Sequence, residues 1–252
     1  MRGRLRKDDI AGRRERAERI LVAAGGLIER WGFDKTTVDD IARAAGVAKG
    51  TIYLHWTTRD ALFLALLRQE RLGLLTDVRQ RLTEDVSAPI VRTLFRHFAA
   101  AMLRRPLLKA VIVGDQAVLG RLAEQRPHPG DVAQRVGYAE YVAILQEHRA
   151  VRSDLPTRAH VNVVSATFMG STLVSPMMPD EYALTDDERA DLIAETIHRT
   201  LGADRPLGKR AEAALTSATT GYVDNALAIA RQQFDAAIGL GVDTYSAREE
   251  DA

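Results

Sequence analysis

The sequence predicts an all-α protein: a small N-terminal three-helix unit containing a helix-turn-helix, followed by a larger helical body. Two observations carry this. Nearly every segment with a hydrophobic period has the helical one, with apolar residues three and four apart. No long alternating Val/Ile/Thr/Tyr run bounded by turn residues offers a strand. The most strand-like patches, residues 110–113 and 161–164, each lie inside a longer helical pattern.

The first helix is expected over about residues 9–31, with Ile20, Leu21, Ala24, Leu27, Ile28 and Trp31 as its apolar stripe and Gly32 as its stop. Gly25 and Gly26 inside it each cost about 1 kcal/mol relative to alanine; they are either tolerated drift or a place where another helix comes close. A short helix over 38–45 has Thr37 as N-cap and Asp39 and Asp40 in its first turn, where their charge suits the positive end of the helix dipole. Gly46-Val47 makes a turn into a third helix over 48–55, and Thr58 caps a fourth that extends to about 82. Pro89, Pro106 and the run Pro127-His128-Pro129-Gly130 then separate helices over about 89–104, 106–125 and 131–149. Pro156 opens a helix over 156–174, and Pro176 and Pro179 break it. Thr185-Asp186-Asp187-Glu188 starts a helix over 186–201 that ends at Gly202. A linker at 204–208 leads to a last helix over 209–239 and a frayed tail. The expected organisation is an arm and helix-turn-helix unit at 1–56, a helical body at 57–204 and a C-terminal extension at 205–252.

Composition narrows the function. At 46% hydrophobic and 27% charged, the 252 residues are an ordinary globular mix. The net charge of +1 names no partner, but its distribution is uneven: residues 1–70 hold 14 Lys and Arg against 10 Asp and Glu, the rest 21 against 24. A basic head on a slightly acidic body suits a polyanion-binding unit attached to something with another task. The absence of cysteine excludes disulfides, thiolate catalysis and Cys-based zinc sites. No stretch approaches the roughly 18 apolar residues of a membrane span, so no membrane partner is expected. The basic start is followed by Asp8, Asp9 and Arg13–Arg16 rather than an apolar run, so the chain is expected to stay in the cytoplasm. His97, His128, His148, His160 and His198 have no metal-ligand spacing, and no phosphate-cradling glycine loop or nucleophile elbow occurs. Neither enzyme activity, a cofactor nor a metal is expected.

The informative segment is residues 36–56, TTVDDIARAAGVAKGTIYLHW. Two short helices crossing steeply over a tight turn need a small residue where they touch, which Ala42 and Ala45 supply. The turn itself needs a residue tolerant of positive φ, which is Gly46. Ile41, Val47 and Ile52 then share one core, leaving Lys49, Thr51, Tyr53 and His55 on the outer face of the third helix. These are groups of the kind that meet phosphates and base edges in a major groove.

This segment resembles the TetR family of repressors. The resemblance rests on Gly32-Phe33, Thr36-Thr37-Val38, Ile41-Ala42, Ala45-Gly46-Val47, Lys49-Gly50-Thr51-Ile52-Tyr53, His55-Trp56 and Arg59-Asp60-Ala61-Leu62, and covers about residues 13–66. It departs at Ala48, where the family usually has Ser or Thr, and at Trp56, where the family usually has Phe. The resemblance implies DNA contacts by Thr37, Lys49, Gly50, Thr51, Tyr53, His55 and Arg59, with base specificity on Lys49, Thr51 and Arg43. The Arg2, Arg4, Arg6 and Lys7 arm either enters a minor groove or attracts DNA without specificity.

For the body, the resemblance implies a small-effector pocket and a two-fold dimer. An apolar pocket with few polar groups has candidates in Phe95, Phe98, Met102, Val113, Gln116, Leu119, Tyr138, Tyr141 and Phe168, though ordinary core is the better reading of each. Asp115 and Gln116 either line such a pocket or face water. The helices over 156–174 and 186–201 are the expected interface, with Val161, Val164, Ser165, Phe168, Met169, Thr172, Ile193 and Ile197 as candidates. The partners expected are double-stranded DNA with a palindromic operator, a small and largely apolar effector, and a second copy of the chain. A second reading keeps the same head but makes the protein a DNA-bound structural or recruiting factor without an effector. The last helix needs a partner surface for Ala214, Leu215, Ala218, Tyr222, Leu227, Ile229, Phe234 and Ile238; it either enlarges the dimer interface or covers the pocket.

Overall fold

The computed structural model describes residues 7–85, 90–120, 122, 137–203 and 207–240. The N-terminal arm at 2–6, the Pro127–Gly130 run, the start of the helix expected at 131 and most of the linker and tail lie outside them. The described residues form helices with one isolated bridge, between Val151 and Gly202, and no strand.

Helix α1 (Lys7–Trp31) buries Ala17, Ile20, Leu21, Ala24, Leu27 and Ile28, as its period predicts. Trp31, expected in that stripe, is 44% exposed at the helix end, and Phe33 takes the core position instead, edge-on to Phe63 with centroids 5.2 Å apart. Gly32 is required twice over: its φ is +79°, and a Cβ there would stand 2.4 Å from the Ala117 carbonyl oxygen. Gly25 and Gly26 are not required by a close approach. A Cβ at Gly25 would meet Leu66 at an ordinary 3.5 Å, and one at Gly26 would face open space.

Helices α2 (Val38–Ala45) and α3 (Lys49–His55) form the corner, and α4 (Arg59–Glu84) runs from the head deep into the body. There α5 (Ile90–Leu103) packs on it, α10 (Asp186–Leu201) packs on α5, α9 (Thr157–Val174) packs on α10, and α8 (Tyr138–Glu147) completes the body against the last helix. Helix α10 lies along α5 through Ile193, Ala194 and Ile197, with Arg92–Glu195 at 2.8 Å and Arg96–Asp191 at 2.6 Å along the seam. The helix expected over 106–125 is divided: α6 (Pro106–Val113) ends at Gly114 in the left-handed conformation, and Asp115 caps the short α7 (Gln116–Leu119) by accepting from the Ala117 and Val118 amides.

The last helix, α11 (Lys209–Ala237), packs along α4, α8 and α5 of its own subunit. Its buried row is Leu215, Thr219, Val223, Ala226, Ala230 and Phe234, with Ile238 just beyond. Of the stripe read from sequence, Leu215, Phe234 and Ile238 are in that row, while Ala218, Leu227 and Ile229 are only half-buried beside it. Two apolar cores result. One fills the body; the other fills the head and takes in Leu62, Phe63 and Leu66 of α4, Leu107 and Ala110 of α6, Leu119, and Phe234 and Ile238. The head core is thus completed by residues far beyond position 56.

Candidate nucleic-acid interface

Thr37 starts α2 with a reciprocal cap: the Asp40 amide donates to Thr37 Oγ1 at 3.2 Å, and the Thr37 amide donates to Asp40 Oδ2 at 3.3 Å. The Thr37 hydroxyl hydrogen bond holds the Asp40 carboxyl below its ordinary pKa. Gly46, at φ +65°, closes the helix by donating to the Ala42 and Arg43 carbonyls. That turn lays α3 across α2 with Ile41 and Ile52 buried beneath. Ala48 makes no side-chain cap to α3, so the departure from the family pattern leaves the first amides of that helix without one.

The outer face of α3 is presented to solvent. Lys49, Gly50 and Tyr53 are exposed, Tyr53 by 46%, and Thr51 and His55 are half-buried beside them. Leu54, which the sequence reading passed over, is 78% exposed on the same helix; its large apolar type at an outward position between Tyr53 and His55 was the available signal. Lys49 Nζ donates to Asp39 Oδ2 at 2.8 Å, and this bond raises the ammonium pKa above its ordinary value. Both partners are about half exposed, so the pair is weakly held and Lys49 can exchange a carboxylate for a base edge or phosphate at small cost. Arg43 lies exposed on α2, 3.6 Å from Asp40.

Arg59 is placed differently from the others. Its guanidinium lies 4.1 Å from the centroid of the Phe33 ring and donates to the Asp34 and Thr36 carbonyls, at 3.3 and 3.1 Å. It fastens the α1–α2 turn, and only its remaining donor capacity is open to a phosphate. His55 is half-buried against Trp56, and burial, reinforced by Arg13 and Arg16, holds its pKa below the ordinary value. It therefore stands neutral at pH 7.

The last turn of α11 grips the back of this unit. Trp56 Nε1 donates to the Ala237 carbonyl at 2.9 Å, Arg13 Nε to Ile238 at 3.1 Å, and Arg14 pairs with Asp235 at 2.6 Å. Midway along α11, Tyr222 stacks on Tyr141 with centroids 4.5 Å apart, and the Tyr141 hydroxyl lies 2.9 Å from Thr219 Oγ1. Burial raises the pKa of all three clustered tyrosines, Tyr222 to about 12.

The body candidates separate into groups. Phe95, Met102, Tyr138, Tyr141 and Phe168 are buried in the body core, with Phe98 edge-on to Phe168 at 5.4 Å. Val113 and Gln116 are not with them; Val113 is half-buried and Gln116 exposed, at the α6–α7 break, while Leu119 belongs to the head core. Among the interface candidates, Phe168, Thr172, Ile193 and Ile197 point into their own subunit. Val161, Val164 and Ser165 are half-buried, and Met169 is 36% exposed. Leu173, Val174, Met177 and Met178, and further on Leu184 and Leu192, are large apolar side chains that are also exposed. Among the described residues no cluster of metal-ligating side chains occurs, and no helix is long and apolar enough to cross a membrane.

Residues 20–66, the corner with its flanking helices, match the profile of the bacterial regulatory proteins of the tetR family. That segment is therefore similar to the DNA-binding region of the TetR family. It is 37% identical over 68 residues to the HTH-type regulator YvdT of Bacillus subtilis, a stretch that is 27% of this chain and 35% of that one. The chain thus spans about a third of the length of the first curated relatives it matches. A longer alignment, 29% identical over 194 residues, covers 75% of this chain and 91% of the HTH-type transcriptional repressor Rv3405c of Mycobacterium tuberculosis. The fold also superposes on that of NalD, described as the secondary repressor of the MexAB-OprM multidrug efflux pump in Pseudomonas aeruginosa. The TM-score is 0.54 at 23% identity, covering 77% of this chain and all of that one.

Proposed function

We propose that the protein is a homodimeric, sequence-specific DNA-binding transcription regulator, a repressor released from a palindromic operator by a small, largely apolar effector. The observation that supports DNA binding best is the outward face of α3: Lys49, Gly50, Thr51 and Tyr53 stand over a buried Ile52 on a capped, glycine-turned corner. A polar helix held this way fits a major groove, with Lys49 and Thr51 against base edges and Tyr53, Thr37 and His55 against phosphates. Arg43 joins the base-reading set from α2, and Arg59 contributes chiefly by fixing the turn.

The open apolar surface of α9 and the segment after it, with Leu192 of α10, supports pairing with a second copy. Monomeric proteins seldom leave such a stretch uncovered. A two-fold pair sets two reading helices one DNA turn apart, roughly 34–36 Å. For effector release, the family and the aromatic body core are the support, and repression agrees with the relative named a repressor. In vitro selection from a random duplex library by the purified protein tests the proposal. The expected result is an inverted repeat bound by a dimer, and failure to enrich any sequence would remove it.

A further inference from the structure

Beside the reading helix is a recess of about 510 Å³ between the first turns of α1 and the outer side of α3. Arg13 and Arg16 line it from α1, and Thr51, Leu54 and His55 from α3, with Asp9 the single carboxylate in the lining. Arg13 and Arg16 are three residues apart, so both project from one face of α1. Arg13 is fixed from two other segments: its Nε donates to the Ile238 carbonyl at 3.1 Å and its Nη2 reaches the Leu54 carbonyl at 3.5 Å. Gly239 makes room for this, since a Cβ there would stand 2.6 Å from Arg13 Nη2. Arg16 is exposed and has no hydrogen-bond or ion-pair partner among the described residues.

We propose that this recess is a backbone-phosphate site on the flank of the reading helix, with Arg16 as the contacting cation and Arg13 as its positioned neighbour. The inference rests on the DNA-binding reading above and extends its footprint to α1. Thr51 faces both the recess and the exposed side of α3, so a strand lying across Thr51 passes over the two guanidiniums. A guanidinium presents a planar fork that matches phosphate oxygens. The neutral His55 at the edge adds no charge that must be balanced. The last turn of α11 acts here too, because the Ile238 carbonyl orients Arg13.

The test compares Arg16→Gln with Arg19→Gln. Arg19 lies one turn further along α1, is paired with Glu15 at 3.5 Å, and is outside the recess, so both variants remove the same charge. The probes are the duplex selected by the wild-type protein and a scrambled duplex of equal length, titrated across a range of salt. Arg16→Gln is expected to weaken binding roughly tenfold on both probes, because a phosphate contact carries no sequence information. Its log–log salt slope is expected to be shallower by about 0.9 per bound subunit. Arg19→Gln is expected to leave the slope unchanged. If the wild type binds and Arg16→Gln binds identically, the phosphate site is wrong while the DNA reading stands. Equal changes in both variants would mean a diffuse field rather than a site. If the wild type binds neither probe, the DNA reading fails and this inference with it.

Discussion

The reading corner and the body use different kinds of contact. In the corner, Thr37 bonds to Asp40 three residues on, and Lys49 to Asp39 ten residues away. In the body, Arg96 meets Asp191 and Arg92 meets Glu195, 95 and 103 residues apart, and Tyr141 meets Thr219 at 78. The corner's geometry is therefore set by neighbours in sequence, and it can be read from a short window. The body's depends on which helix falls beside which, a matter settled only by the assembled core. Helix α11 belongs to both regions. Its middle joins the tyrosine cluster of the body and its last turn finishes inside the core of the head, so one helix links Tyr222 to the segment that holds Trp56 and Arg13.

The largest expected effect is at that seam. Phe234 is fully buried in the head core, and Phe234→Ala should destabilise the protein by about 3–5 kcal/mol through the cavity it leaves. Chemical denaturation measures it, and a loss under about 1 kcal/mol would mean that α11 merely rests on the head. Next comes the corner itself. Tyr53→Ala should weaken binding to the selected duplex roughly tenfold or more without moving the denaturation midpoint, because a 46% exposed side chain supports contacts outward rather than packing. Retained affinity would remove Tyr53 from the DNA contacts.

Acid should weaken both regions. Burial holds the pKa values of His97 and His160 in the body and His55 in the head below their ordinary 6.5. For His97 this prevails over the Asp85 carboxylate 3.2 Å from Nε2. The unfolded chain takes up these protons at about pH 6.5, while the folded chain takes them up only at lower pH. The histidine contribution to stability is therefore complete above about pH 6.5 and is lost as the pH falls from there towards the folded values. The urea midpoint should be lower at pH 5.5 than at pH 7.5, and the loss should be smaller in His160→Gln; an unchanged midpoint would contradict this. Smallest are two repairs to the head. Ala48→Ser should add about 1 kcal/mol by capping α3. Gly26→Ala, at an exposed helical site with open space around it, should add up to about 1 kcal/mol. Thermal melts check both, and a destabilised Gly26→Ala would restore the close-approach reading of that glycine.

What was legible in the sequence follows the same division. The caps at Thr37, Thr58 and Thr185, the Gly46 bend and the buried Ile41 and Ile52 all stand as local pattern predicts. The break at Gly114-Asp115 was missed although its signal, a helix stop followed by a capping carboxylate, was present. Arg59 was read from its place at a helix start, and only the fold brings Phe33 and two carbonyls beneath it. Periodicity shows that Ile193 and Ile197 lie on an apolar face but not whether α5 or a second subunit covers it; α5 does. The same limit applied to the last helix, whose apolar stripe gave no hint that the final turn would enter the head core.

The measurement that bears most directly on the outward-facing reading helix is the affinity of the intact protein for its selected duplex as salt is raised. With about six phosphates neutralised, the log–log slope should be roughly −5, a loss of roughly a thousandfold between about 50 and 200 mM. A flat response would contradict the account, because a cationic helix seated in a groove must release counterions as it binds.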